Sequence, residues 1–289
     1  MLAITLVSPD PAALATAIAA VRAAVAVTTE TRLGEGAVDL AADLPLTDAH
    51  AAVKASIGDA PVDFAVQPAE GRRKRLLIAD MDSTIIGCEC LDELADFAGV
   101  KAQVSEITER AMRGELLFEG ALRERVGMLE GLSTDALQAC YDDRVRLNPG
   151  AAILVRTMAA HGARCALVSG GFTFFTSRVA EAAGFHMNRA NTLIEEGGKL
   201  TGQVGDPILG KEAKLAALQE ETAALGLTPA DALAVGDGAN DLAMIEAAGL
   251  GVAYRAKPIV AAQAHAKVDH ADLTALLYFQ GYKASEFVS

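Results

Sequence analysis

Tryptophan is absent from this 289-residue chain, aromatic residues make up only 4% of it, and it has four cysteines. So few aromatics exclude a stacking platform for single-stranded nucleic acid. The cysteines (Cys88, Cys90, Cys140, Cys165) form neither a CxxC pair nor a set with closely spaced histidines. That excludes a disulfide scaffold and a zinc module and leaves reduced thiols. Positive charge is also scarce: 25 Lys and Arg against 38 Asp and Glu give a net charge of -13. A surface of that sign offers no general footprint for nucleic acid or an anionic membrane, so any anion must be captured by a local site. There is no long uncharged apolar run, and no basic stretch before an apolar one near Met1. Neither membrane spanning nor export is indicated, and a cytoplasmic protein is expected.

What is present is a 52% hydrophobic, 22% charged chain, long enough for two domains with buried cores. Through residue 67 the pattern predicts strand 2–7, helix 12–25, strand 27–32, strand 37–42, helix 48–57 and strand 62–67. That β-α-β-β-α-β order is the ferredoxin-like motif and resembles the small ACT-like domains. Pro68-Ala-Glu-Gly71 reads as a linker, which places a small α+β domain over 1–70 and a second domain over 71–289. With every motif below lying after that linker, residues 1–70 are expected to be removable without loss of chemistry. The basic run Arg72-Arg-Lys-Arg75 reads as a solvated edge. Beyond it, apolar runs at 76–79, 164–168, 232–235 and 250–253 alternate with helical stretches, the signature of a parallel sheet buried on both faces. Reactive groups are then expected just past the carboxyl ends of those strands.

Four such places carry chemistry. Leu76–Ala79 runs into Asp80-Met-Asp82-Ser-Thr84. One carboxylate there can attack phosphorus, and a second can protonate a leaving alkoxide and then deprotonate water. Val168-Ser169-Gly170-Gly171 precedes a helical run, where close-approaching N–H groups can hold a phosphoryl oxygen. Lys211-Glu-Ala-Lys214 opens a helix, and a lysine can neutralise clustered negative charge. Val235-Gly-Asp237-Gly-Ala-Asn240-Asp241 adds oxygen ligands of the kind Mg2+ takes. Each alone also fits a turn, a cap or a surface charge.

Together and in order, these strings closely resemble the four motifs of the haloacid dehalogenase superfamily of aspartate-nucleophile phosphatases. The resemblance implies a Rossmann-like α/β core with a helical cap at about 88–147. It also implies Asp80 as nucleophile and Asp82 as general acid and base, with Ser169, Gly170, Lys214 and Asn240 about the phosphoryl group. Mg2+ would be held by Asp80, Asp237 and the carbonyl of Asp82, with Asp241 orienting that site. Lys211 is a reserve for Lys214.

The cap segment carries Glu89, nine residues after Asp80, and Phe118 and Arg125, which are seven residues apart and so share a helix face. A carboxylate and an arginine suit the ammonium and carboxylate of an amino acid, although both cap residues also fit a solvated or core-facing helix. From about Leu76 to Leu276 the strings resemble the phosphoserine phosphatase family of serine biosynthesis, which implies Glu89, Phe118 and Arg125 as substrate contacts. The partner implied is O-phospho-L-serine, with no nucleic acid and no membrane, and a homodimer left open. A phosphatase or phosphotransferase for another small phosphorylated metabolite uses the same chemistry. An inactive serine-sensing protein is the alternative of a different class.

Overall fold

Asp10 and Pro11 start the first helix as the sequence predicts. The Asp10 carboxylate accepts the Ala12 N–H at 2.9 Å, and Pro11 occupies the first helical turn, where its missing N–H costs nothing. The computed structural model describes residues 1–112 and 115–289. Positions 113 and 114 of the expected cap lie outside the described residues.

The N-terminal part runs β1 (Leu2–Val7), α1 (Pro11–Ala24), β2 (Val27–Gly34), β3 (Ala37–Ala42), α2 (Leu46–Ile57) and β4 (Asp63–Pro68). Helix α2 starts two residues before the expected Asp48, behind Pro45, which serves as its N-cap without a side-chain bond. The strands pair antiparallel in the order β2-β3-β1-β4, so the ferredoxin-like element order forms the matching sheet. Helices α1 and α2 cover one face, burying Leu14, Ile18, Val21 and Val53 against Ile4, Leu6 and Leu40.

After β5 (Leu76–Ala79) come the helices α3 (Cys90–Phe97), α4 (Lys101–Met112), α5 (Phe118–Gly127) and α6 (Thr134–Arg144). They occupy the span expected for the cap. The chain returns through α7 (Ala151–Ala160), β6 (Arg164–Phe172), α8 (Thr173–Ala183) and β7 (Met187–Asn191). A hairpin of β8 (Leu193–Glu196) and β9 (Lys199–Val204) leans on the cap, with Gly131 N–H donating to Leu200 O and Thr134 N–H to Gly198 O. Then follow α9 (Lys211–Ala224), β10 (Ala232–Gly236), α10 (Leu242–Ala247), β11 (Leu250–Tyr254), α11 (Pro258–Ala261), β12 (Ala266–Val268) and α12 (Ala275–Phe279).

The second sheet is parallel throughout, ordered β12-β11-β10-β5-β6-β7. Leu76, Leu77 and Ile78 of its central strand are fully buried. Each such side chain is worth about 1.5–3 kcal/mol relative to exposure, which is why a short uninterrupted apolar run suffices here.

The two sheets are continuous. Lys267 of β12 pairs antiparallel with Phe64 of β4, giving one sheet of ten strands. Polar locks reinforce the join. Asp63 is buried and accepts N–H groups from Asp269, His270 and Ala271 at 2.8, 3.1 and 2.7 Å. Gln67 donates to Phe279 O at 2.6 Å. The basic run is the solvated edge expected of it only at Arg73 and Arg75, which are exposed. Lys74 is buried, donating to Gly71 O and Ala230 O, and Arg72 pairs with Asp39, itself held by Thr5.

Candidate active site

Three of the four chemical segments stand toward the carboxyl ends of adjacent parallel strands, β5 for Asp80, β6 for Ser169 and β10 for Asp237, and the fourth, with Lys214, opens helix α9. Asp80 N–H donates to Val235 O at 3.0 Å, which ties the first segment to the last. The chain then turns through Met81–Ile85 with Asp82 extended and Ser83 left-handed at φ 54°. A non-glycine residue in that region is uncommon and needs local support. Asn148 supplies some, its amide donating to Thr84 O and Ile86 O at 2.8 and 3.1 Å.

Lys214 is 2% exposed, with its ammonium 2.7 Å from Asp80 Oδ1 and 2.5 Å from Asp241 Oδ1. Lys211 is well exposed and, among the described residues, pairs with Glu212 at 3.9 Å, so the reserve lysine does not reach the site. Burial would push the Lys214 ammonium down, but the two carboxylates outweigh it and hold it above its ordinary value. Burial and the nearby Asp241 push the Asp80 carboxyl up, and the Lys214 ammonium at 2.7 Å pulls it back toward the ionised form. Asp241 Oδ2 accepts the N–H groups of Asp237 and Gly238 at 3.1 and 2.9 Å, so it holds the β10 loop in shape. A side chain at Gly236 would run into that carboxylate.

Carboxylate oxygens of Asp80, Asp237 and Asp241 all lie within 4.8 Å of one another. Burial, with Asp241 and Glu89 nearby, pushes Asp237 up to about 6. One lysine thus serves several crowded carboxylates, and an all-oxygen set short of positive charge fits a hard divalent cation such as Mg2+. The Asp82 carboxylate is turned away from this group. Its Oδ1 accepts the Cys90 N–H at 3.1 Å, and its Oδ2 stands 3.5 Å from Ser169 Oγ. Burial raises its pKa, opposed by the Cys90 N–H, and this upward direction suits a group that must give and take a proton.

Ser169 is buried, and its Oγ accepts the Gly171 N–H at 2.9 Å. At Gly171 a Cβ would come within 2.8 Å of Asp82 Oδ2, so only glycine allows this approach. Phe118 reaches the same corner from the cap, with its Cζ 3.5 Å from where a Cβ of Gly170 would stand. Asn240 is half-buried beside Gly238 on the β10 loop.

Glu89 is exposed at its surface, yet the surrounding protein and Asp82 push its carboxyl up to about 7. Ser83 Oγ donates to it at 2.6 Å. Arg125 donates to Ala121 O at 3.2 Å and approaches Thr108 Oγ1 at 3.4 Å. Burial pushes its guanidinium down, opposed by the charges of Asp92 and Glu89. A cap cation and a cap anion are therefore near enough to feel one another's charge, and Glu89 also feels that of Asp82. Sequence reasoning missed three participants: the Cys90 backbone, the Ser83 hydroxyl, and Thr84, which donates to Asp237 Oδ1 at 3.2 Å. Ser83 and Thr84 left a signal, their place in the first motif, and the Cys90 backbone left none.

A family profile described as haloacid dehalogenase-like hydrolase matches residues 77–246. A phosphoserine phosphatase of a Polaromonas species is 47% identical over 208 residues, 70% of this chain and 88% of that one. The solved structure of a HAD family hydrolase from Salmonella enterica serovar Typhi superposes with a TM-score of 0.86 at 28% identity, covering 96% of this chain and 97% of that one. That of a probable phosphoserine phosphatase from Vibrio cholerae, unliganded, gives 0.80 at 32% identity, covering 99% and 88%. The profile takes in Asp80, Asp82, Ser169, Lys214, Asp237 and Asp241, the same groups that the fold gathers at its strand ends. With sequence, fold and site in agreement, this chain belongs to the haloacid dehalogenase-like hydrolases.

Proposed function

We propose that the chain hydrolyses O-phospho-L-serine to L-serine and phosphate, the closing step of serine biosynthesis, through an aspartyl phosphate. The observation that carries this is the meeting of two sets of groups. Asp80 and Lys214 lie at the floor; from the cap side Phe118 approaches Gly170, Glu89 is near enough to Asp82 and Asp237 to interact with them by charge, and Arg125 is near enough to Glu89 to do the same. The floor is suited to a phosphoryl group and the cap charges to the ammonium and carboxylate of an amino acid. Relatives of the same name support the choice of substrate.

In this reading an Asp80 oxygen attacks phosphorus, and the bond from phosphorus to the serine oxygen breaks as Asp82 protonates that oxygen. Water then attacks phosphorus, Asp82 takes its proton, and the bond to Asp80 breaks to release phosphate. Lys214 holds Asp80 in place and offsets the charge gathering on the phosphoryl oxygens. Ser169 and the Gly170 N–H bind those oxygens, with Asn240 close to them. Asp80, Asp237 and the Asp82 carbonyl would hold Mg2+, with Asp241 orienting them; when bound it supplies positive charge to the phosphoryl oxygens. Phe118 at the Gly170 corner keeps water from the charges in the closed cap.

The test is phosphate release by the full chain with Mg2+ across phosphoserine, phosphothreonine, ethanolamine phosphate and glycerol phosphate. Phosphoserine should be turned over best. A better substrate elsewhere in the panel would move the reading to that metabolite, and a folded protein inert toward all would point to a sensor.

A further inference from the structure

Asn191 is the last residue of β7 and is 2% exposed. Strands β6 and β7 pair through Val168 with Arg189 and Phe172 with Asn191, so Ser169, Gly170 and Gly171 bulge out opposite Ala190 alone. A bulge strips ladder groups of their strand partners. Asn191 replaces one: its Nδ2 donates to Gly170 O at 2.8 Å, with a longer contact to Leu209 O at 3.4 Å. Its Oδ1 accepts the Leu209 N–H at 2.7 Å. A backbone N–H can only donate, so the amide oxygen must face Leu209 and the NH2 must face Gly170.

Peptide planarity carries this bond across the corner. The Gly170 carbonyl and the Gly171 N–H belong to one trans unit and point in opposite directions. With the carbonyl held by Asn191, the N–H is aimed at Ser169 Oγ, which accepts it at 2.9 Å and stands 3.5 Å from Asp82 Oδ2. At the other end, Leu209 lies two residues ahead of α9, the helix that carries Lys214. Gly210 between them meets the Phe118 ring.

We propose that Asn191 is a positioning residue for the phosphoryl-binding corner. Through the Gly170–Gly171 peptide it sets the Ser169 hydroxyl, and through Leu209 it fixes that corner against the Lys214 helix. This rests on the phosphatase reading above, since the corner must bind a phosphoryl group for its orientation to matter.

The test uses the full chain with Mg2+ and two variants of similar volume. N191L removes both ends of the bridge. N191D keeps the acceptor for Leu209 but turns the Gly170 donor into an oxygen that donates only when protonated. In N191L, kcat/KM for phosphoserine should fall about 10- to 100-fold, the range for a buried hydrogen bond left unmade. Inhibition by inorganic phosphate should weaken by a similar factor. In N191D the activity relative to wild type should recover as pH falls, because the new carboxyl regains an O–H donor. A folded N191L with wild-type kcat/KM and phosphate inhibition overturns the proposal. If N191L does not fold, a pH-independent N191D ratio overturns it instead. A wild type that releases phosphate from neither phosphoserine nor any other ester overturns the functional reading, and this proposal with it, before any variant is made; an active wild type with an unaffected N191L overturns this proposal alone.

Discussion

The Lys214 ammonium lies 2.7 Å from Asp80 Oδ1 in a pocket that excludes solvent from both. Because Asp241 Oδ1 is bonded to the same ammonium, one cation compensates two buried carboxylates. Removing it in K214A should leave both unpaired, destabilise the fold by about 3–5 kcal/mol, and abolish turnover through protonation of Asp80. Thermal denaturation and phosphate release check the two halves of this expectation. Near-normal stability would mean that the carboxylates find other partners.

Asp82→Asn should cost roughly 10²- to 10⁴-fold with phosphoserine, whose alkoxide needs a proton to leave. A nitrophenyl ester needs none, so its first step should suffer less. The Cys90 N–H that now meets Asp82 Oδ1 can still be accepted by an asparagine oxygen, which keeps the local fold intact. Single-turnover phosphorylation with both esters is the measurement, and equal losses would remove the acid role.

For the metal-free protein, the raised carboxyls fix a sign. Asp237 stands at about 6 and Glu89 at about 7, both above their values in an unfolded chain. Folding therefore takes up protons between about pH 4 and 7, and stability from these groups is lost as pH rises through that window. Melting temperatures of chelator-treated protein should fall along it, and D237N should flatten the fall. Added Mg2+ should raise the melting temperature most at the high-pH end. A D237N curve parallel to wild type would count against the shift.

Deleting residues 1–70 should give an unstable or aggregating product in place of the autonomous body expected from the linker. The main core draws in Val7, Leu33, Ala37 and Ala65, and Asp63 caps three N–H groups after β12. Their loss bares a strand edge and strands buried donors. Size-exclusion chromatography and thermal melting decide this, and a monodisperse truncation with full turnover would contradict it.

The catalytic floor was legible because each of its parts is a contiguous string beside an apolar run, and parallel strands bring their carboxyl ends together. The join of the two sheets was not, because it rests on one residue pair, Lys267 with Phe64, in a three-residue strand. Arg72 and Lys74 read as solvated because their partners, Asp39 and Ala230, are remote in sequence. Asn191 stayed hidden for a related reason. Its bonds to Gly170 and Leu209 exist only once β6 bulges beside β7.

Selectivity is the sharpest test of the cap. Arg125 is tethered by Ala121 O, and the charges of Asp92 and Glu89 offset part of the burial that pushes its guanidinium down. If it reads the substrate carboxylate and Glu89 the ammonium, R125A and E89Q should each lower kcat/KM for phosphoserine by about 1.5–3 kcal/mol, roughly 10- to 150-fold. Ethanolamine phosphate lacks the carboxylate, so it should be a poor substrate of the wild type and lose much less from R125A. It keeps the ammonium, so E89Q should hurt both substrates. A cap that had merely loosened would depress every ester together, and the cross between variants and substrates separates the cases. Equal losses from R125A on both esters, with circular dichroism unchanged, would return the assignment to a general small-metabolite phosphatase.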